Sequence, residues 1–336
     1  MPMISVVIAA YNEEEHLDKC IISVLSQTYQ NFEIIIINDG STDGSAEIIN
    51  KYKEEYKEKV IAIDKKNGGQ ASARNCGISA AKGKYITFLD ADDYIDKDYL
   101  KILATTAEKH KCNVVCSGQY KVGEDGKIIH SIIYKSYDGK CLTRRLNISG
   151  KMYLTSYVKD NDVSFPEGKT YEDNSFNLQM FFLSNKIYFL NYVGYYQVVH
   201  EGSTTSKVIL MDNLPLQEWN NCIEKILNHK EEVDLQLFEF TVLSFLAYLL
   251  LVRIRKREYL SNVDRKSNIE NAVGIASAFQ KITNTYFPHA RRNKYALMFR
   301  FNELPLSQKL GVKVFSWMCY WRKLEFFTSV FYKLMK

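Results

Sequence analysis

The 336 residues contain no CxxC pair, no internal repeat and no low-complexity run, and the start MPMISVVIAAYNEEE lacks the basic stretch of a secretory signal. Without CxxC the usual zinc spacings are excluded, and seven cysteines form an odd set that reads as free thiols in a reducing compartment. On this reading the active domain is expected inside the cell. A clean apolar run of about 20 residues, the length that spans a bilayer, is also missing. The stretch from Val233 to Val252 comes nearest, but Asp234, Gln236 and Glu239 interrupt it, and it reads as a buried core helix. No nucleic-acid module is visible, and the net charge of +5 is mild, with basic residues gathered after position 250.

What is present is an alternation of strand-length apolar runs with helix-period segments over the first 120 residues, the pattern of a mostly parallel α/β sheet flanked by helices. Ile4 to Ala10, Phe32 to Ile37, Val60 to Ile63 and Tyr85 to Leu89 read as strands. Asn12 reads as the cap of a helix bearing Leu17, Cys20, Ile21, Val24 and Leu25 on one face, and residues 70 to 81 read as another helix. From about 120 to 205 the pattern is irregular, with turn signals at GEDGK and SYDG and a polar loop at PEGKTYEDN. The period turns helical after about 210. The expected division is an α/β domain over 1–208 and a helical region over 209–336.

Acidic groups fall at the carboxyl ends of two strands, Asp39 on one and Asp90 with Asp92 on the other, where open parallel sheets bind ligands. Two carboxylates one residue apart on extended chain address one ligand from one side, and their hard oxygens suit Mg2+ or Mn2+ bridged to a diphosphate. A solvated acidic turn, with Asp93 capping the next helix, fits the same spacing.

The ordered segments ISVVIAAYNEEEHLDKCIISVLSQTYQNFEIIIINDGSTDGS, NGGQASARNCGISAAKGKYITFLDADD and EGKTYEDNSF decide between these. Together they closely resemble the family 2 glycosyltransferases, inverting enzymes of the GT-A fold, over about the first 205 residues. The resemblance implies that Ala9 and Tyr11 edge a nucleoside pocket and that Asp39 accepts from a base, which for an imide N–H favours uracil. Asn38 stands where relatives commonly carry a first aspartate. Asn67 and Arg74 match the NxGxxxARN segment and would face the donor; alone they read as a turn asparagine and a surface arginine. Asp90 would contact ribose or donor sugar and Asp92 would ligate the metal.

Glu172 and Asp173 match the family's Glu-Asp pair, whose aspartate is the general base; alone they read as acids favouring a helix N-terminus. His200, Ser203 and Thr204 stand where relatives place groups near the diphosphate, and His200 reads equally as a metal or phosphate contact or as a packed ring. The implied reaction is transfer from a UDP-sugar to a hydroxyl of a glycan or lipid-linked glycan in cell-surface polysaccharide synthesis. A sugar-nucleotide-binding protein without catalysis and a membrane-peripheral scaffold are the competing classes. A nucleotidyltransferase is disfavoured because its Gly-rich phosphate loop is missing after the first strand.

The final segment VKVFSWMCYWRKLEFFTSVFYKLMK carries eight aromatics, five lysines or arginines and one acid, Glu325. One amphipathic helix over 311–336 is expected, lying either on an anionic membrane at the inner face of the cell or against protein, a twin subunit included.

Overall fold

In the computed structural model, described for residues 3–134, 146–184, 186–200, 209–229, 233–253, 265–297 and 306–334, the chain divides into two compact units. One comprises residues 1–139 and 147–203, the other 140–146 and 204–336.

The first unit is built on a nine-stranded sheet in the order β3-β2-β1-β4-β8-β6-β9-β5, with β7 paired to β6. Strands β1 (Ile4–Ala10), β2 (Phe32–Asn38), β3 (Val60–Asp64) and β4 (Tyr85–Asp90) are mutually parallel. Their side chains are almost wholly apolar because both faces are covered: Ile34, Ile35, Ile36 and Ile37 are all 0% exposed. Each such isoleucine contributes about 1.5–3 kcal/mol through burial. Helices α1 (Leu17–Leu25), α2 (Ser45–Glu55) and α3 (Gln70–Ala80) make the crossovers. The expected α/β class, with helices flanking the sheet and a helical region after it, is what the structure shows.

Two local readings are corrected. Asn12 does not cap α1; it takes a left-handed φ of 54°, and the helix begins five residues later at Leu17. Its carboxamide accepts instead from the Thr42 N–H at 2.8 Å, an alternative to helix capping that short amides commonly take. Asp93 caps no helix either. The next one, α4 (Tyr99–His110), follows the short strand β5 (Tyr94–Ile95) and starts after Asp98.

The irregular stretch of sequence contains more sheet than its pattern suggests. After α4 come β6 (Val114–Gly123), β7 (Ile128–Ile132), β8 (Lys151–Leu154), helices α5 (Thr155–Asp160) and α6 (Glu172–Phe182), and β9 (Ile187–Val199). GEDGK is the hairpin turn between β6 and β7, closed by Gly123 N–H to Lys127 O at 3.0 Å with Gly126 at φ 77°. SYDG, Ser203 and Thr204 lie outside the described residues. Strand β8 runs antiparallel to both β4 and β6, whereas β9 is parallel to β6 and antiparallel to β5. The sheet is thus parallel in its first half and mixed in its second.

The second unit is helical: α7 (Leu216–Asn228), α8 (Leu235–Tyr248), α9 (Arg265–Tyr286), α10 (Leu306–Tyr320) and α11 (Leu324–Leu334). Asp234 caps α8 by accepting from Leu237 N–H at 3.1 Å. The stretch Leu235–Arg253 is long and apolar enough to cross a membrane, and 56% of it is buried. The final segment is two helices, not one: the chain breaks at Arg322, whose φ is 53°. Helix α11 packs on α9 and α10 on α8.

Helix α3 lies unusually close to β1. A Cβ on Gly77 would stand 2.3 Å from Val7 Cγ1. Gly77→Ala should therefore destabilise the first unit by about 1–3 kcal/mol through overpacking, read as a lower denaturant midpoint.

Candidate active site

The carboxyl ends of β1, β2 and β4 gather Ala9, Tyr11, Asp39, Asp90 and Asp92 along one edge of the sheet. The loops behind this edge are tied to each other. Asn12 N–H donates to Ser41 Oγ (3.2 Å), Glu13 N–H to Ser45 Oγ (2.9 Å), Glu14 N–H to Asp43 (3.1 Å) and Gly44 N–H to Glu14 (2.6 Å). Asn38 belongs to the same scaffold, donating to Asp64 at 2.8 Å and accepting from Ser41 N–H at 3.0 Å. Tyr11 is 47% exposed at the rim.

Asp39 is buried, and its carboxylate is occupied by its own chain: Lys65 Nζ donates at 2.6 Å, Gly68 N–H at 3.0 Å and Gly69 N–H at 2.7 Å. The acid therefore orders the 65–69 loop. Asn67 in that loop is exposed, with its amide packed so close to Gly40 that a Cβ there would stand 2.9 Å from Asn67 N. Gly40 also has φ 73°, a second reason for glycine.

Arg74 is not a surface residue. It is 3% exposed on α3, and its guanidinium reaches three carboxylates: Nη2 to Asp90 at 2.7 Å, Nη1 to Asp173 at 2.8 Å and Nη1 to Glu172 at 3.3 Å. Burial works against the guanidinium's charge, but Asp173, Asp90 and Glu172 more than offset it, raising its pKa. Glu172 and Asp173 sit in the first turn of α6, entered through Tyr171 at φ 60°, so they belong to a helix start and not to a loop. Burial raises both carboxyls, Glu172 to about 7 with Asp173 as the next cause; for Asp173 the Arg74 charge opposes the rise.

Asp90, Asp92 and Asp93 bring their carboxylate oxygens within 4.8 Å of one another, an arrangement able to hold a cation. Their engagements differ. Asp93 is 2% exposed and takes both Tyr195 Oη–H (2.7 Å) and Val198 N–H (2.8 Å), so β9 holds it as a structural group. Asp90 accepts from Arg74 and from Gln70 Nε2 at 3.0 Å. Asp92 is half-buried and faces His200 Nε2 at 2.9 Å. Burial, with Asp90 behind it, raises the Asp92 carboxyl against the pull of His200. Asp92 and His200 present a carboxylate oxygen and an imidazole nitrogen, a donor set that could hold a divalent cation.

The sequence reading missed Glu13 and His16. The His16 ring stacks on His200 with centroids 5.3 Å apart, and its Nδ1 lies 3.3 Å from Glu13. Burial and the nearby Asp92 charge raise the Glu13 carboxyl. Their signal was position: both follow the end of β1 at Ala10 within six residues.

The glycosyl transferase family 2 model matches residues 5–165. EpsH of Bacillus subtilis is 31% identical over 262 residues, covering 72% of this chain and 75% of EpsH. The chain belongs to glycosyl transferase family 2. This glycosyltransferase is also 31% identical to GlyA of Streptococcus pneumoniae over 217 residues, 60% of its own length but only 31% of GlyA. In fold it resembles a Staphylococcus aureus TarS structure in complex with UDP-GlcNAc, with a TM-score of 0.73 and 21% identity over 97% of this chain and 90% of that one.

Arg74→Met should strand three half-buried carboxylates and cost the transferase about 3–5 kcal/mol at pH 8. The loss should shrink at pH 5, where the stranded acids take up protons. Wild-type stability has the same sign: Glu172, raised from 4.5 to about 7, contributes fully below 4.5 and less as pH rises through 7. Urea melts at both pH values check this.

Proposed function

We propose that this glycosyltransferase is metal-dependent and inverting, and moves a sugar from a UDP-sugar to a hydroxyl of a glycan or lipid-linked glycan during cell-surface polysaccharide synthesis. The observation that carries the reading is the single buried arginine joining the strand-end Asp90 to the helix-borne Glu172 and Asp173. It puts a donor-side carboxylate and a candidate base on one rigid cluster, as a direct displacement needs. The UDP-GlcNAc held by the TarS structure favours a uridine donor.

In this reading Ala9, Tyr11 and Asn67 border the nucleoside, and Asp39 reaches uracil once the 65–69 loop yields one of its donors. Asp90 addresses the ribose or donor sugar. Asp92, with His200, holds the Mg2+ or Mn2+, which when bound stabilises charge on the departing diphosphate. Ser203, beyond the described residues, is assigned to the diphosphate by its position after His200. Asp173 removes the proton from the acceptor hydroxyl as its oxygen attacks the anomeric carbon, so one displacement inverts the configuration. Catalysis belongs to residues 1–208 and 209–336 forms an accessory region.

Asp173→Asn should abolish transfer and leave UDP binding nearly intact, whereas Asp92→Ala should also weaken binding. Calorimetry with UDP, GDP and CDP, each with Mn2+ and with EDTA, checks this; equal binding in EDTA would remove the metal assignment, and turnover by the Asp173 variant would remove the base.

A second reading concerns the last two helices, which face an anionic membrane. Trp321, Phe326 and Leu334 are 58%, 68% and 76% exposed, and Met318, Lys323, Phe326, Phe327 and Val330 line a cavity of about 460 Å3. Lys313, Arg322, Lys323 and Lys333 supply exposed cations beside these rings. Deleting the segment would unpack the unit, since Tyr332 is buried and donates to Leu250 O at 2.8 Å. Trp321→Ser with Phe326→Ser instead should cut sedimentation with phosphatidylglycerol vesicles and leave transfer to a soluble acceptor unchanged. Unchanged sedimentation, or a dimer lost on substitution, would assign the face to a twin subunit.

A further inference from the structure

Lys151, the first residue of β8, is 1% exposed. A buried ammonium costs several kcal/mol in desolvation, and a methionine would fill the same space without that cost. Its Nζ donates to Asn147 O at 2.5 Å and to Ser149 O at 3.3 Å, with Asn147 Oδ1 at 3.5 Å. The Asn147 carbonyl also accepts from Asn177 Nδ2 at 3.1 Å, and Asn177 is held in turn by Tyr153 Oη–H at 2.7 Å.

The next N–H along the chain belongs to Ile148, and it donates to Asp173 Oδ2 at 3.1 Å. In a trans peptide the C=O of one residue and the N–H of the next share a plane and point opposite ways. Whatever holds the Asn147 oxygen therefore aims the Ile148 N–H. The other oxygen of Asp173 takes Arg74 Nη1 at 2.8 Å, so these two donors fix the carboxylate from two sides.

We propose that Lys151 is a positioning residue for Asp173, acting through the 147–148 peptide to keep the Ile148 N–H on the carboxylate and so keep the base aimed and ionised. The inference rests on the reading of Asp173 as the base. A hydrogen bond to the charged form of an acid favours that form, so loosening the peptide raises the pH needed to ionise it. Among the described residues, the charged groups around Asp173 are Arg74 from α3, Asp90 from β4, Glu172 from its own helix and Lys151 from β8. Lys151 acts on it both through the peptide and by its own charge.

The test is the pH profile of kcat in the full chain with metal and UDP-sugar. Lys151→Met should move the acid limb up by about half a pH unit or more and lower kcat on that limb, with donor KM unchanged. A folded Lys151→Met protein whose limb stays in place overturns the proposal, even if kcat falls. Asn177→Ala removes the second donor to the same carbonyl and should move the limb in the same direction. Should neither variant fold, the Ile148 amide resonance in 15N-isoleucine-labelled wild type must titrate with the midpoint of the acid limb, and an amide that does not overturns the proposal alone. Asp173→Asn separates the two readings: residual turnover there defeats the base assignment, whereas a dead Asp173 variant with an unmoved Lys151 limb defeats only this inference.

Discussion

One buried guanidinium governs this molecule. Arg74 cannot stay buried at 3% exposure without partners, and the partners it finds come from β4 and from the start of α6, about one hundred residues away in the chain. Neither side is stable alone: three carboxylates without the arginine repel one another, and the arginine without them is an uncompensated charge. The mutual need fixes the distance between the sheet edge and α6 more firmly than apolar packing does, because apolar contacts are indifferent to small rotations and a forked donor is not. The Phe165 ring, 5.4 Å from the guanidinium and stacked on Phe176 at 4.3 Å, closes the cluster from the apolar side.

Around this anchor the acids take unequal roles because their environments differ. Asp93 is saturated by β9 and serves the fold; Asp39 is saturated by glycine amides and a lysine and serves a loop; Asp92 keeps a half-exposed carboxylate beside His200 and is the group left available. Spacing along the chain could not separate these roles. Only the donors that each carboxylate meets do so.

That difference also explains what was readable in the sequence. Strands β1 to β4 were legible to within a residue because strands buried on both faces are continuous apolar runs, and Ile34 to Ile37 leave no other reading. Strands β6, β8 and β9 were not: β6 and β8 carry Gln119 and Lys151 into the interior, where Gln119 bonds the half-buried Gln197 of β9 and the Asn147 side chain, and the ammonium takes the Asn147 carbonyl. Polar residues at buried positions break the hydrophobic period. Asn12 misled for a related reason: an asparagine that usually caps a helix here bridges two loops 30 residues apart. The candidate site was legible as a list, because Asp90, Asp92, Glu172 and Asp173 sit in recognisable segments. What joins them was hidden, for nothing local marks Arg74 as buried.

Strand β9 pairs in parallel with β6 and reaches the acids with Tyr195 and Val198. A chain emerging from the ribosome in order can assemble β1 to β4 from its first ninety residues, using short right-handed crossovers. At that stage Asp93 has no phenol and no amide to receive, and Arg74 has only Asp90. The acidic edge stays incomplete until about residue 200 has left the exit tunnel, so the nascent chain balances its charged centre in two stages, Arg74 when α6 arrives and Asp93 when β9 does.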